Sequence, residues 1–271
     1  MPESEKDLRL AVLIDADNAS RTAMKDVMAE VAVYGTPTIK RIYGDWTSPQ
    51  MGAWRNVVLD NSIQPIQQYS NVSGKNSSDS SLIIDAMDLL YQGRVGAFCI
   101  VSSDSDFTRL ASRLREAEMY VLGMGEQKTP RSFISACNKF SYLDILYAAS
   151  KEEAPAVPAA PEKPAEKGKS GKPTAQKPAA KKPPKKEANG SNLDSVRDAL
   201  RELTEENSDD DGWIYSGKLG YLLTKRFPDF DVRNFKFKKF ASFVRSLGCF
   251  ETRELADDES ETSKRIYFKL K

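Results

Sequence analysis

Four aspartates in three separate segments have the chemistry of a metal site: Asp15, Asp79, and the pair Asp104 and Asp106. Asp15 follows the apolar run Leu8 to Ile14 and precedes Asp17 and Asn18. Asp104 and Asp106 lie in Ser102-Ser103-Asp104-Ser105-Asp106-Phe107, directly after Ala97-Phe98-Cys99-Ile100-Val101. Asp79 opens a segment in which Leu82, Ile83, Ala86, Leu89 and Leu90 fall on one helical face. It points toward that face from the helix N-terminus, which places it at the rim of a core. Carboxylates gathered without a basic partner repel, and they hold protons more tightly unless a cation neutralises them. Hard oxygen donors of this kind suit Mg²⁺ or Mn²⁺. Such an ion activates water and stabilises charge on a phosphoryl group. The chain has no histidine, which excludes His-dependent triads and His-ligated metals.

Each acid also has a structural reading. Asp17 and Asn18 suit an N-cap or turn. Asp79 suits a helix start, where the dipole favours negative charge. Asp106 reads equally as a ligand or as the cap of the following helix. Asp85 falls at the boundary of the apolar face and reads as an exposed or supporting acid; Asp88 falls on the solvent side. Asp104 is hardest to reduce to capping, because its turn carries two acids and a cap needs one. The argument for chemistry is joint: three segments bring acids to one place.

The elements that must position them alternate. Strands are expected at Leu8–Ile14, Thr38–Tyr43, Ile63–Tyr69, Ala97–Val101 and Met119–Gly123, with a strand-like Phe140-Ser141-Tyr142. Helices are expected from a Ser20 cap to Val33, and over Met51–Asn61, Asp79–Tyr91, Thr108–Ala117 and Arg131–Cys137. This order predicts an α/β domain over 7–149, with a mostly parallel sheet and helices on both faces. The strand C-termini then share one edge, where such sheets build their sites. A polar loop, Ser70 to Ser78, carries Lys75, the nearest cation to the acids; it suits either a phosphate contact or a solvated loop. Arg41, Arg55, Arg109, Trp46 and Tyr69 suit either a strand-binding surface or ordinary packing.

Net charge is +1 overall but divides unevenly: −3 over 1–150, +5 over 151–192 and −1 over 193–271. The basic middle, 150–191, is Ala, Pro, Lys and Glu with repeated Lys-Pro themes; it predicts a disordered tether, solubilising or phosphate-contacting. Cys99, Cys137 and Cys249 form no CxxC, and two of them sit in apolar context, as in a reduced compartment. No apolar leader and no membrane-length apolar run occurs, so a soluble cytoplasmic protein is expected.

In 192–271, Leu193, Val196, Leu200 and Leu203 mark a first helix, and Leu219, Leu222, Leu223 and Phe227 a second, capped by Ser216 and ended by Pro228. A third helix is expected over Val232–Leu247, followed by a hairpin of Phe250–Leu255 and Arg265–Leu270. Three helices and a hairpin describe a winged helix. Arg233, Lys236, Lys238, Lys239 and Arg245 make the third helix basic, as a phosphate-contacting or a solvated face.

Two resemblances follow from these residues. Ile14-Asp15-Ala16-Asp17-Asn18, Gly74-Lys75, Asp79 with Asp85, and Val101 to Phe107 resemble the NYN domain family of PIN-like ribonucleases, over roughly residues 7–145. The resemblance implies a Rossmannoid fold and a Mg²⁺- or Mn²⁺-dependent nuclease acting on RNA. By position it implies Asp15, Asp79, Asp104 and Asp106 as metal-binding acids, with Asn18 beside them. Many members have Ser-Gly-Asp where this chain has Ser102-Ser103-Asp104. Tyr43 to Trp46 and Phe133 to Leu143 resemble a bacterial subgroup. The C-terminal part, with Trp213 before the second helix and Phe230-Asp231 before the third, resembles the LOTUS (OST-type helix-turn-helix) domain. That implies RNA binding and protein contacts; members commonly place Gly where this chain has Lys236.

The expected function is a metal-dependent ribonuclease whose C-terminal domain recruits RNA. One alternative is a catalytically silent RNA-binding regulator. A phosphatase using Asp15 as nucleophile would need a Thr where Asn18-Ala19 stands. A topoisomerase–primase-type site would need a glutamate after the first strand, and none is suitably placed.

Overall fold

The computed structural model describes residues 8–69, 77–153, 192–257 and 260–271. Six parallel strands form the first sheet: β1 (Arg9–Asp15), β2 (Thr36–Gly44), β3 (Gln64–Gln67), β4 (Ala97–Val101), β5 (Tyr120–Gly125) and β6 (Lys139–Tyr142). Their spatial order is β3-β2-β1-β4-β5-β6. The order reverses between β1 and β4, which pair in register from Leu10 opposite Ala97 to Ile14 opposite Val101.

These two central strands are buried along almost their whole length because both faces are covered. Leu10, Val12, Ile14, Cys99 and Val101 pack on one side, against α1 (Met24–Tyr34) and Trp54. Ala11, Leu13, Phe98 and Ile100 pack on the other, against α3 (Ser77–Gln92), α4 (Thr108–Glu116) and α5 (Arg131–Ala136). The two-residue alternation therefore divides one apolar run between two cores. A short α2 (Arg55–Asp60) precedes β3. An eleven-residue helix, α6 (Leu143–Glu153), follows β6 without a break and was not anticipated from the sequence.

The C-terminal part contains α7 (Leu193–Asn207), α8 (Ser216–Arg226), α9 (Phe240–Ser246) and a three-stranded antiparallel sheet. The sheet is β7 (Ile214–Tyr215), β8 (Phe250–Asp257) and β9 (Ser260–Leu270), in the order β7-β9-β8. Phe230, Phe243, Phe250 and Phe268 join the helix leucines in its core.

The continuous third helix expected over Val232–Leu247 is corrected. A 3-10 turn covers Val232–Phe235, capped by Asp231 through the Arg233 backbone N–H. Lys236 then adopts a left-handed conformation, φ +63°, and α9 starts only at Phe240. A non-glycine residue there stops the helix at a conformational cost. Ser20 does not cap a backbone N–H as expected; its hydroxyl pairs with Thr22 at 3.0 Å.

The two parts are docked. The Phe140 N–H, on the edge strand β6, donates to the Pro228 carbonyl at 2.8 Å. Asp229, fully buried, accepts from Arg131 at 2.8 Å and from the Tyr142 hydroxyl at 2.9 Å. Arg233 makes a two-pronged pair with buried Glu30, 2.9 Å in each arm, and also binds Asp231. Lys139 donates to the Phe230 carbonyl. The loop from Pro228 to Arg233 thus closes the open edge of the first sheet. The first four residues of the expected tether, 150–153, complete α6, and residues 154–191 lie outside the described residues.

Candidate metal centre

Asp15 ends β1, and Asp104 follows the end of β4, so the acids flank the point where strand order reverses. Open α/β sheets form their binding crevices there. Asp79 reaches the same edge from the first turn of α3. One carboxylate oxygen from each of Asp79, Asp104 and Asp106 lies within 4.8 Å of the others, close enough to share one cation.

Hydrogen bonds within the turn set this geometry. The Asp104 Oδ1 accepts from the Asp106 N–H at 2.9 Å, which caps the 3-10 turn Ser105–Phe107. Asp104 rather than Asp106 is therefore the cap. Asp104 itself is held by its N–H donating to the Ser102 Oγ at 3.1 Å. Ser103 Oγ accepts from the Glu126 N–H at 2.9 Å, fastening the turn to the end of β5.

Asp15 lies outside the mutually close trio. Its side chain is buried and accepts three hydrogen bonds: from Asn18 Nδ2 at 2.8 Å, the Ser102 hydroxyl at 2.8 Å and the Asp17 N–H at 3.0 Å. Burial pushes its carboxyl pKa up, and these donors offset part of the rise. Asp79 is pushed up to about 6, first by burial and then by the charges of Asp15, Asp104, Asp106 and Asp17. Neither Asp79 nor Asp104 has an ion-pair partner among the described residues. Crowded carboxylates, with Asp79 holding its proton more tightly, and an all-oxygen donor set fit a hard divalent cation.

The other expected residues are placed as follows. Asn18 orients Asp15, and Asp17 supplies it with a backbone donor. Asp85 stands apart from the trio, bound by the Arg41 guanidinium and the Tyr43 hydroxyl of β2. Lys75 lies outside the described residues. Lys236, Lys238 and Lys239 are exposed around the left-handed break, whereas Arg233 is held by Glu30 and Asp231. The positioning roles of Ser102 and Ser103 were missed. The signal was present: two serines between a buried strand and the acids are short polar residues suited to bond neighbouring backbone and carboxylates.

A cavity of about 490 Å³ lies between α3 and the β2–β3 edge. Arg41, Gln64 and Gln68 line it together with Ile66, Ile84 and the acids Asp85 and Asp88.

A doubly wound parallel sheet with acids at its reversal point defines an α/β class with an acidic binding edge. The comparisons make this specific. The NYN domain profile matches residues 9–144, and the OST-HTH/LOTUS domain profile matches residues 191–259. The chain belongs to the NYN domain family and carries a C-terminal LOTUS domain. Among solved structures, it is similar to a protein of unknown function from Vibrio parahaemolyticus: 17% identity, TM-score 0.44, 52% of this chain and 94% of that one covered. It is also similar to an uncharacterized protein from Nitrosomonas europaea: 32% identity, TM-score 0.26, 38% of this chain and 91% of that one covered. No curated protein matches the chain. No helix among the described residues is long and apolar enough to cross a membrane.

Proposed function

We propose that this protein is a ribonuclease that hydrolyses RNA phosphodiesters with a divalent cation, Mg²⁺ or Mn²⁺, at the Asp79–Asp104–Asp106 cluster. The observation that carries the reading is the convergence of these three carboxylates on one point beside Asp15. Asp79, Asp104 and Asp106 would hold the ion, and Asp15 adds negative charge next to Asp79. Bound there, the ion supplies neutralisation of phosphoryl charge and a lowered pKa for water. Asn18 and Ser102 keep the Asp15 carboxylate oriented, and Ser103 keeps the acid turn against β5. The LOTUS domain recruits RNA, and the exposed Lys236, Lys238 and Lys239 would contribute phosphate contacts. The cytoplasm is the expected compartment, in keeping with the unpaired cysteines.

The test is incubation of the full chain with end-labelled single-stranded and structured RNA in Mn²⁺, Mg²⁺ or EDTA. The reading expects cleavage that requires the metal. RNA binding without cleavage under any condition would favour the silent regulator.

A further inference from the structure

The outer face of the C-terminal sheet carries aromatic rings and cations in a fixed row. Tyr215 of β7 stands in register with Tyr267 of β9, and Tyr267 with Arg253 of β8. The preceding row, Ile214 opposite Phe268, faces the core and is buried. Strand alternation therefore turns the Tyr215–Tyr267–Arg253 row outward. The two tyrosine rings lie 5.7 Å apart, and Tyr215 is 44% exposed. Trp213 continues the face, with Arg253 5.9 Å and Lys269 6.0 Å from its ring centre.

These rings are preset. A Cβ on Gly217 would stand 2.5 Å from the Tyr215 ring, so the glycine is what lets that ring lie against the start of α8. The Trp213 backbone is pinned by its amide N–H donating to the Asp209 carboxylate at 2.6 Å and by its carbonyl accepting from the Asp209 N–H at 2.9 Å. Lys269 is anchored over Trp213 by its 2.8 Å bond to the Asp211 carbonyl. Flat rings held beside fixed cations match the two parts of a nucleic acid strand, bases and phosphates. A duplex hides its base faces, so the complementary ligand is single-stranded.

We propose that Trp213, Tyr215 and Tyr267, with Arg253 and Lys269, form a base-stacking platform for single-stranded RNA. The proposal rests on the reading that the C-terminal domain recruits RNA. It locates that recruitment on the sheet face rather than on the Lys236–Lys239 turn.

The test measures binding of the full chain to a short fluorescein-labelled mixed-sequence RNA by anisotropy, in EDTA so that cleavage plays no part. The same strand in duplex is the comparison. Tyr215→Ala and Tyr267→Ala are expected to weaken single-strand binding roughly tenfold or more each. Tyr215→Phe and Tyr267→Phe keep the rings and should bind like wild type. Quenching of tryptophan emission by the single strand should be lost in Trp213→Phe, which leaves Trp46 and Trp54 in place. The proposal is overturned by alanine variants that fold by circular dichroism and bind unchanged, by preference for the duplex, or by absence of RNA binding in the wild type. Loss of binding confined to Lys236→Gln, Lys238→Gln and Lys239→Gln would also overturn it. A chain that binds through the platform but cleaves nothing contradicts the nuclease reading and supports this one.

Discussion

The Ser102 hydroxyl donates to Asp15 Oδ2 at 2.8 Å and so ties the end of β4 to the end of β1 across the sheet's reversal point. The Ser102 Oγ in turn accepts from the Asp104 N–H. One serine therefore links a buried carboxylate on one strand to the acid turn on the next. Ser102→Ala leaves Asp15 short of one donor while burial still opposes its charge. The expected cost is about 1–3 kcal/mol, read as a lower urea midpoint at unchanged slope, together with reduced RNA cleavage.

Asp79 gives the metal-free protein a defined pH dependence. Its folded pKa, about 6, lies above the ordinary 3.8. The folded state therefore holds this proton more tightly than the unfolded chain does. That contribution to stability is fully present below the ordinary value and is lost as pH rises through about 6. In EDTA, the Tm of wild type relative to Asp79→Asn should fall between pH 4 and pH 7. Mn²⁺ should raise the wild-type Tm more at pH 7 than at pH 5, because ion and proton compete for the same carboxylates. An Mn²⁺ effect equal at both pH values would contradict this.

The docking of the two domains hinges on Asp229. Asp229→Ala removes the shared acceptor of Arg131 and Tyr142 and leaves the Tyr142 hydroxyl buried without it. Breaking this pair should cost on the order of 3 kcal/mol, the lower end for a buried pair because Arg131 is half-exposed. By calorimetry, a single unfolding transition should separate into two. Coincident melting of both domains in the variant would contradict a structural role for the junction.

Lys236 tests the break in the third helix. Its φ of +63° is costly for any side chain. Lys236→Gly should raise stability by about 1 kcal/mol, seen as a higher Tm. A helix running through 232–247, as the apolar pattern alone suggests, would instead be destabilised by glycine.

Much of the sheet was legible because β1 and β4 are covered on both faces, so their residues read as unbroken apolar runs. The acids were legible for a related reason: they follow those runs, and parallel strands bring their ends to one edge. Capping logic located the acid turn but left Asp106 open between ligand and cap; the cap is Asp104, and only backbone geometry separates these chemically alike residues. The α6 helix was hidden because Tyr142-Leu143 joins strand to helix with no glycine or proline between them. The break at Lys236 was hidden because a lysine in a left-handed turn leaves no compositional mark. The Glu30–Arg233 pair was invisible for a deeper reason. Its partners are 203 residues apart, and no periodicity links them. Arg233 accordingly read as a free cation, whereas the fold uses it at the junction.

The most direct test of the central claim is Mn²⁺-dependent cleavage of labelled single-stranded RNA by wild type and Asp104→Asn, with circular dichroism confirming that both fold. Asp104→Asn keeps a capping oxygen but removes one charge from the cluster. The cluster account predicts cleavage by wild type that EDTA abolishes, and a loss on the order of 100-fold or more in the variant. Cleavage by Asp104→Asn at the wild-type rate, or cleavage by wild type that persists in EDTA, would contradict it.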